Sequence, residues 1–155
     1  MAGRPKHAQL LGDYLREPIE SACMITRPGA TARVTIGGMA GETAAARIRH
    51  HSRHDNRINF DGNGWLALGR LSFTLIYRDL IGNRPTGDPV ARVAYVEVAD
   101  VALSQALFTT HVEVAFHDGG IVVFETPRRG FHRPNRAVVA SLVSRCSMTR
   151  ALAAW

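Results

Sequence analysis

Residues 111–124 carry the signal that most limits how this chain can fold. In His111–Phe116 polar and apolar side chains alternate, which places Val112, Val114 and Phe116 on one inward face of a strand. Asp118-Gly119-Gly120 follows, a turn signal whose glycines admit positive φ, and Ile121–Phe124 completes a hairpin. The preceding stretch has the same texture. Trp65–Leu68 and Leu71–Arg78 read as consecutive strands, the second with Leu71, Phe73, Leu75 and Tyr77 on one face. Residues 82–89, GNRPTGDP, read as a Gly/Pro loop, and Val90–Val98 and Asp100–Leu107 as short twisted strands. Beyond the hairpin, Pro134 suits a first helical turn. Val138, Val139, Leu142, Val143 and Cys146 then form one apolar stripe of a helix running to about residue 150.

The N-terminal part is more mixed. Ala8, Leu10, Leu11, Tyr14 and Leu15 recur at helical spacing over residues 7–17, and Pro18 stops the run. Residues 20–26 and 31–36 read as two strands around a Pro28-Gly29 turn. Gly37–Gly41 breaks the pattern, and a helical stretch over residues 43–48 enters the polar tract 49–57, an exposed connection or frayed helix end. The order predicts an α+β, mainly β protein: an N-terminal helix and mixed region, about five antiparallel strands, and a closing amphipathic helix.

The length of 155 residues fits one domain. Nineteen basic residues against 13 acidic ones give a formal charge of +6, and Lys6 is the only lysine. Such a surplus suits an anionic partner, nucleic acid or an acidic membrane face; arginine-rich genome composition is the competing explanation. No apolar run approaches the ~20 residues that cross a bilayer. MAGRPKHAQLLGDYL has no apolar core of a signal peptide, which predicts a cytoplasmic location, with a peripheral place at the inner membrane face as a variant. In that reducing compartment Cys23 and Cys146, each within an apolar pattern, read as free core thiols.

The step Leu66-Ala67-Leu68-Gly69-Arg70-Leu71, the later strand pair, the Asp118-Gly119 hairpin and the terminal helix together resemble the bacterial pleckstrin-homology-like (GRAM-like) domains, most of all small actinobacterial versions. Residues 58–150 carry the resemblance. Leu68-Gly69 departs from the Thr-Asp type of turn common in that group. The resemblance implies a small, strongly bent antiparallel barrel or sandwich of about seven strands, with the C-terminal helix plugging one open end. It implies binding of lipid headgroups, peptides or proteins, with no catalytic apparatus. Residues 58–155 would be the barrel and its helix, and residues 1–57 an extension, a helix plus strands packing on it. The basic motif between the first two strands of conventional pleckstrin domains has no counterpart in the sequence, so no lipid-binding residue carries over.

Four motifs bear on chemistry. If residues 47–55 are helical, His50 and His54 share a face at i, i+4, as do His51 and Asp55, a spacing that suits a zinc-type ion. H-E-x-x-H is absent, however, and Arg47, Arg49, Arg53 and Arg57 would repel a cation, so a solvated basic arm is the ordinary reading. His111, Glu113 and His117 share one strand face. The H-x-E string lacks the P-C-x-x-C partner of zinc deaminases, and these positions read as the polar side of a half-exposed strand. Gly37–Thr43 lacks the lysine of a phosphate loop.

The fourth motif, residues 128–136, is the strongest binding candidate: Arg128, Arg129, Arg133 and Arg136 surround Phe131 just ahead of a helix N-terminus. A solvated loop with Phe131 tucked onto the barrel is the alternative. No Ser-His-Asp, Cys-His or paired-carboxylate set is present. The sequence therefore predicts a non-enzymatic binding or scaffold domain without cofactor or metal. Its partner is a protein or an anionic membrane surface, and its anion-binding candidates are Arg47, Arg49, Arg53, Arg57, Arg128, Arg129, Arg133 and Arg136. Nucleic-acid binding through the two arginine tracts is the alternative, and a metal-dependent enzyme built on His50–His54 the remote one.

Overall fold

The computed structural model describes residues 6–28 and 57–153. Helix α1 (Lys6–Leu15) precedes β1 (Ile19–Thr26), β2 (Arg57–Asn59), β3 (Asn63–Gly69), β4 (Ser72–Arg78) and β5 (Pro85–Ala94). A 3-10 turn over Tyr95–Glu97 leads into β6 (Val98–Gln105), β7 (Thr109–Phe116) and β8 (Ile121–Pro127). A second such turn, Gly130–His132, opens onto helix α2 (Pro134–Ala153). Seven strands form one antiparallel path, β5-β4-β3-β1-β8-β7-β6, and the short β2 runs parallel to β8. The end strands β5 and β6 do not pair, so the sheet is an open, bent sandwich. One apolar cluster draws on strands from both halves of the path, including Leu66, Phe73, Val112 and Phe124, which requires the sheet to fold over on itself.

Helix α2 closes this core. Val138, Val139, Leu142 and Cys146 are buried in it and Val143 is half-buried, so the apolar stripe read from the sequence is the packed face. Its far half is tied down by Arg145, which donates to the Gly69 carbonyl at 2.9 Å and pairs with Glu20. The Tyr95 hydroxyl donates to the same carbonyl at 2.7 Å. The predicted hairpin forms as read: Gly119 sits at φ 92°, and the Asp118 carboxylate accepts the Gly120 N–H at 2.9 Å. Both cysteines are buried free thiols.

Several boundaries differ from expectation. β1 lies mid-sheet, paired with β3 on one side and β8 on the other, so residues 19–26 belong to the sandwich and not to an added extension. Residues 85–89, expected in a loop, already belong to β5; prolines are tolerated there because β5 is an edge strand. Leu71 was expected to share the inward face of Phe73, but it lies ahead of β4 and is exposed. Ile76, on the opposite face, is fully buried in a second small cluster with Ala8 and Leu11 of α1, Ile19, Trp65 and Ala67. A helix laid on the outer face makes both sides of β3 and β4 apolar, which explains the continuous run Trp65–Leu68. The crossing into β3 is tight. A Cβ at Gly64 would fall on the Phe60 ring and the Ile76 carbonyl, so only glycine fits beside the buried Phe60. The predicted strand 31–36, the glycine break at 37–41 and the helical stretch 43–48 lie outside the described residues.

Candidate anion-binding rim and a buried polar cluster

The loop after β8 keeps its arginines together. Arg128 donates its N–H to the Phe108 carbonyl at 3.0 Å and its Nη1 to the Ala106 carbonyl at 2.7 Å, which joins this loop to the β6–β7 connection. Arg136, in the first turn of α2, donates Nε to the Arg128 carbonyl at 2.9 Å. The buried Asn135 amide holds the Pro127 carbonyl at 2.9 Å and fixes the start of the helix against the sheet. Burial, and after it the charges of Arg136 and Arg129, lower the pKa of Arg128. Arg129 and Arg133 are exposed, and among the described residues no carboxylate forms an ion pair with any of the four arginines.

Phe131, at the crest of the Gly130–His132 turn, is fully exposed, and Phe108 across the joint is 53% exposed. The tucked position for Phe131 is therefore not adopted. The loop is a rim of crowded cations around two solvent-facing aromatic rings, beside a helix N-terminus that favours anions. Such a surface can hold phosphate oxygens and place a ring in an apolar or stacked environment.

Of the other arginine tract only Arg57 is described. Arg47, Arg49 and Arg53, like His50, His51 and His54, lie outside the described residues. Arg57 opens β2 and pairs its Nη2 with Glu113 at 2.7 Å, so it is held by a carboxylate rather than left for an anion. Arg57 stands opposite Ile121, at the far end of β8 from the rim, about 20 Å away at roughly 3.3 Å per residue.

Glu113 leads to a cluster that sequence reasoning misplaced. His111 and Glu113 are buried, not the polar side of a half-exposed strand; His117 lies past β7, exposed in the turn. His111 Nε2 contacts Glu113 at 3.1 Å and His111 Nδ1 contacts the fully buried Glu125 at 3.0 Å. Thr109 Oγ1 donates to the other Glu125 oxygen at 3.1 Å. Cross-strand register builds this line, because His111 on β7 is the direct partner of Glu125 on β8. Carboxylates only accept, so both ring contacts are hydrogen bonds together when each nitrogen carries a proton. The hydrogen bond from His111, opposed by burial and reinforced by Arg57, holds the Glu113 carboxyl at about 2. Glu125 was overlooked because it falls at the end of the apolar run 121–124. Its signal was the pairing of that run with His111, which the hairpin turn already fixes.

Among the described residues no group of three or more His, Cys, Asp or Glu side chains is placed to hold a metal ion, and no helix is long and apolar enough to cross a membrane. A cleft of about 460 Å³ between Arg92, Val96, Glu97, Phe116 and His117 is lined by side chains of mixed character. No known family model matches the chain, and no curated protein sequence does.

Proposed function

We propose that this chain is a non-enzymatic binding domain that docks on an anionic membrane surface through the rim of Arg128, Arg129, Arg133 and Arg136. The observation that carries the reading is the pairing of four arginines, none of which forms an ion pair with a carboxylate among the described residues, with a fully exposed Phe131 and a half-exposed Phe108. Cations draw the rim to acidic headgroups, each adding about 1 kcal/mol near a charged bilayer, and the rings enter the interface. The architecture supports the same reading. Six of the seven strands on the antiparallel path, and the closing helix, fall within residues 58–155, where the resemblance to pleckstrin-homology-like domains implies about seven strands and such a helix. Fold analogy alone does not assign function.

Co-sedimentation with phosphatidylserine-containing and with neutral vesicles tests the proposal. Binding to the acidic vesicles that weakens with salt is expected. Failure to sediment with acidic vesicles at low salt overturns it. The same exposed ring among arginines also suits base stacking on single-stranded nucleic acid. A mobility shift at ~50 mM salt, together with failure to bind vesicles, would favour that reading instead.

A further inference from the structure

The β4–β5 turn presents a second apolar point, built from other residues. Leu80 is 69% exposed and Ile81 completely so, at the tip of the hairpin. Large side chains at a hairpin tip are ordinarily replaced by turn-forming polar residues, because nothing there buries them. Here the turn holds them out. The Asp79 carboxylate accepts the N–H groups of Ile81 at 2.7 Å and Gly82 at 3.3 Å, and the Asp79 N–H donates to the Arg84 carbonyl at 2.8 Å. Asn83 takes a left-handed φ of 55°, and its carbonyl accepts the indole N–H of the buried Trp65 at 2.8 Å. Arg78 donates to the Asn83 side chain at 2.8 Å. The tip is thus a fixed projection anchored to the second apolar cluster.

Its surroundings carry charges of both signs. Arg84 is exposed within the turn, and Lys6 and His7 of α1 line the hollow beside Gly82 and Asn83, with Leu10 adding apolar surface. Asp79 is occupied by the turn itself and Asp13 sits in the hollow; neither forms an ion pair with Lys6 or Arg84. An apolar point with Arg84 exposed in its turn and Lys6 in the adjoining hollow is complementary to the boundary between acidic headgroups and acyl chains. The geometry points to the Leu80–Ile81 tip as a membrane-inserting wedge, a second contact with the anionic bilayer. The inference shares its partner with the function proposed above but none of its residues.

Two single-cysteine probes separate the two sites. Ile81→Cys and Phe131→Cys are each labelled with an environment-sensitive fluorophore; the native thiols are buried and leave the new one as the reactive site. Each labelled protein is mixed with phosphatidylserine/phosphatidylcholine vesicles carrying a quencher in the acyl chains. A blue shift and quenching at position 81 are expected. If the probe at 131 enters the bilayer and that at 81 stays aqueous, the wedge is overturned and the rim stands. If 81 enters and 131 does not, the wedge stands and the rim falls. If neither enters, both fall. A blue shift at 81 that grows with protein concentration in the absence of vesicles would assign the tip to self-association and overturn the wedge. Independently, L80S/I81S is expected to keep the parent melting temperature and to bind acidic vesicles about tenfold more weakly; unchanged vesicle binding overturns the wedge.

Discussion

The cluster around His111 and the rim around Phe131 lie at different places on the β7–β8 pair and treat charge in opposite ways. In the cluster, Arg57 and His111 meet Glu113 and Glu125, and every named contact runs between opposite or complementary groups. In the rim, like charges stand together, and Arg128 has its pKa lowered by burial and by its arginine neighbours. Buried charges are retained where they are paired, because an unpaired one is costly. Exposed like charges cost little in water and gain strongly from an incoming anion. The difference fits the cluster to holding the sheet together and accords with the proposal that the rim meets an anionic partner.

The sharpest way to break this comparison is to cut one member from each side. Glu125→Ala strips the partner from His111 and Thr109 in a fully buried place, and a loss of about 3–5 kcal/mol in denaturant unfolding is expected. A loss below about 1 kcal/mol would mean that the cluster is incidental to stability. The matched rim variant, R129Q/R133Q, is expected to unfold within about 0.5 kcal/mol of the parent. Its binding to acidic vesicles should fall roughly 30-fold, from about 1 kcal/mol for each lost cation. A stability loss in that variant, or full retention of vesicle binding, would collapse the distinction between the two regions.

The two regions were also unequally legible. The rim was readable because its residues are contiguous: four arginines and a phenylalanine within residues 128–136, placed ahead of a helix marked by Pro134. What the sequence left open was whether Phe131 packs inward, which depends on whether the Gly130–His132 turn lies over apolar surface. The strands were readable through period-two alternation, and the hairpin through Asp118-Gly119-Gly120. The cluster was not, because alternation says which side chains share a face but not whether something covers that face. His111 and Glu113 have the pattern of a wetted strand edge and are buried nonetheless. The place of β1 between β3 and β8, and the parallel strip β2, were hidden for a related reason. Both depend on pairings across long sequence separation that leave no local mark.

A smaller effect refines the cluster side through pH. The Glu113 carboxyl is held at about 2 in the folded chain, against an ordinary value of 4.5. A depressed carboxyl stabilises the fold fully above its unfolded value, and that contribution is lost as pH falls from about 4.5 toward about 2. Glu113→Gln should therefore be less stable than the parent by about 3 kcal/mol at neutral pH. The gap should close as the two proteins are compared at successively lower pH through that window. A gap independent of pH would show that Glu113 contributes through packing and hydrogen bonds common to both forms, and not through its charge.

The smallest effect concerns the two thiols, which test whether the core beneath both regions is closed. Burial pushes Cys23 up to about 12, with the Thr126 hydroxyl as a minor opposing influence, and pushes Cys146 up to about 11. Thiolate is the reactive form, so neither side chain should react measurably with an aromatic disulfide reagent at neutral pH, and both should react at once in denaturant. The two report on different elements, because Cys23 lies on β1 at the middle of the sheet and Cys146 on α2. Cys146 reacting ahead of Cys23 under native conditions would reveal that α2 lifts from the sandwich while the sheet stays intact. That motion would move Arg136 away from the Arg128 carbonyl and take the rim apart, so the rim would then depend on α2 docking rather than standing preformed.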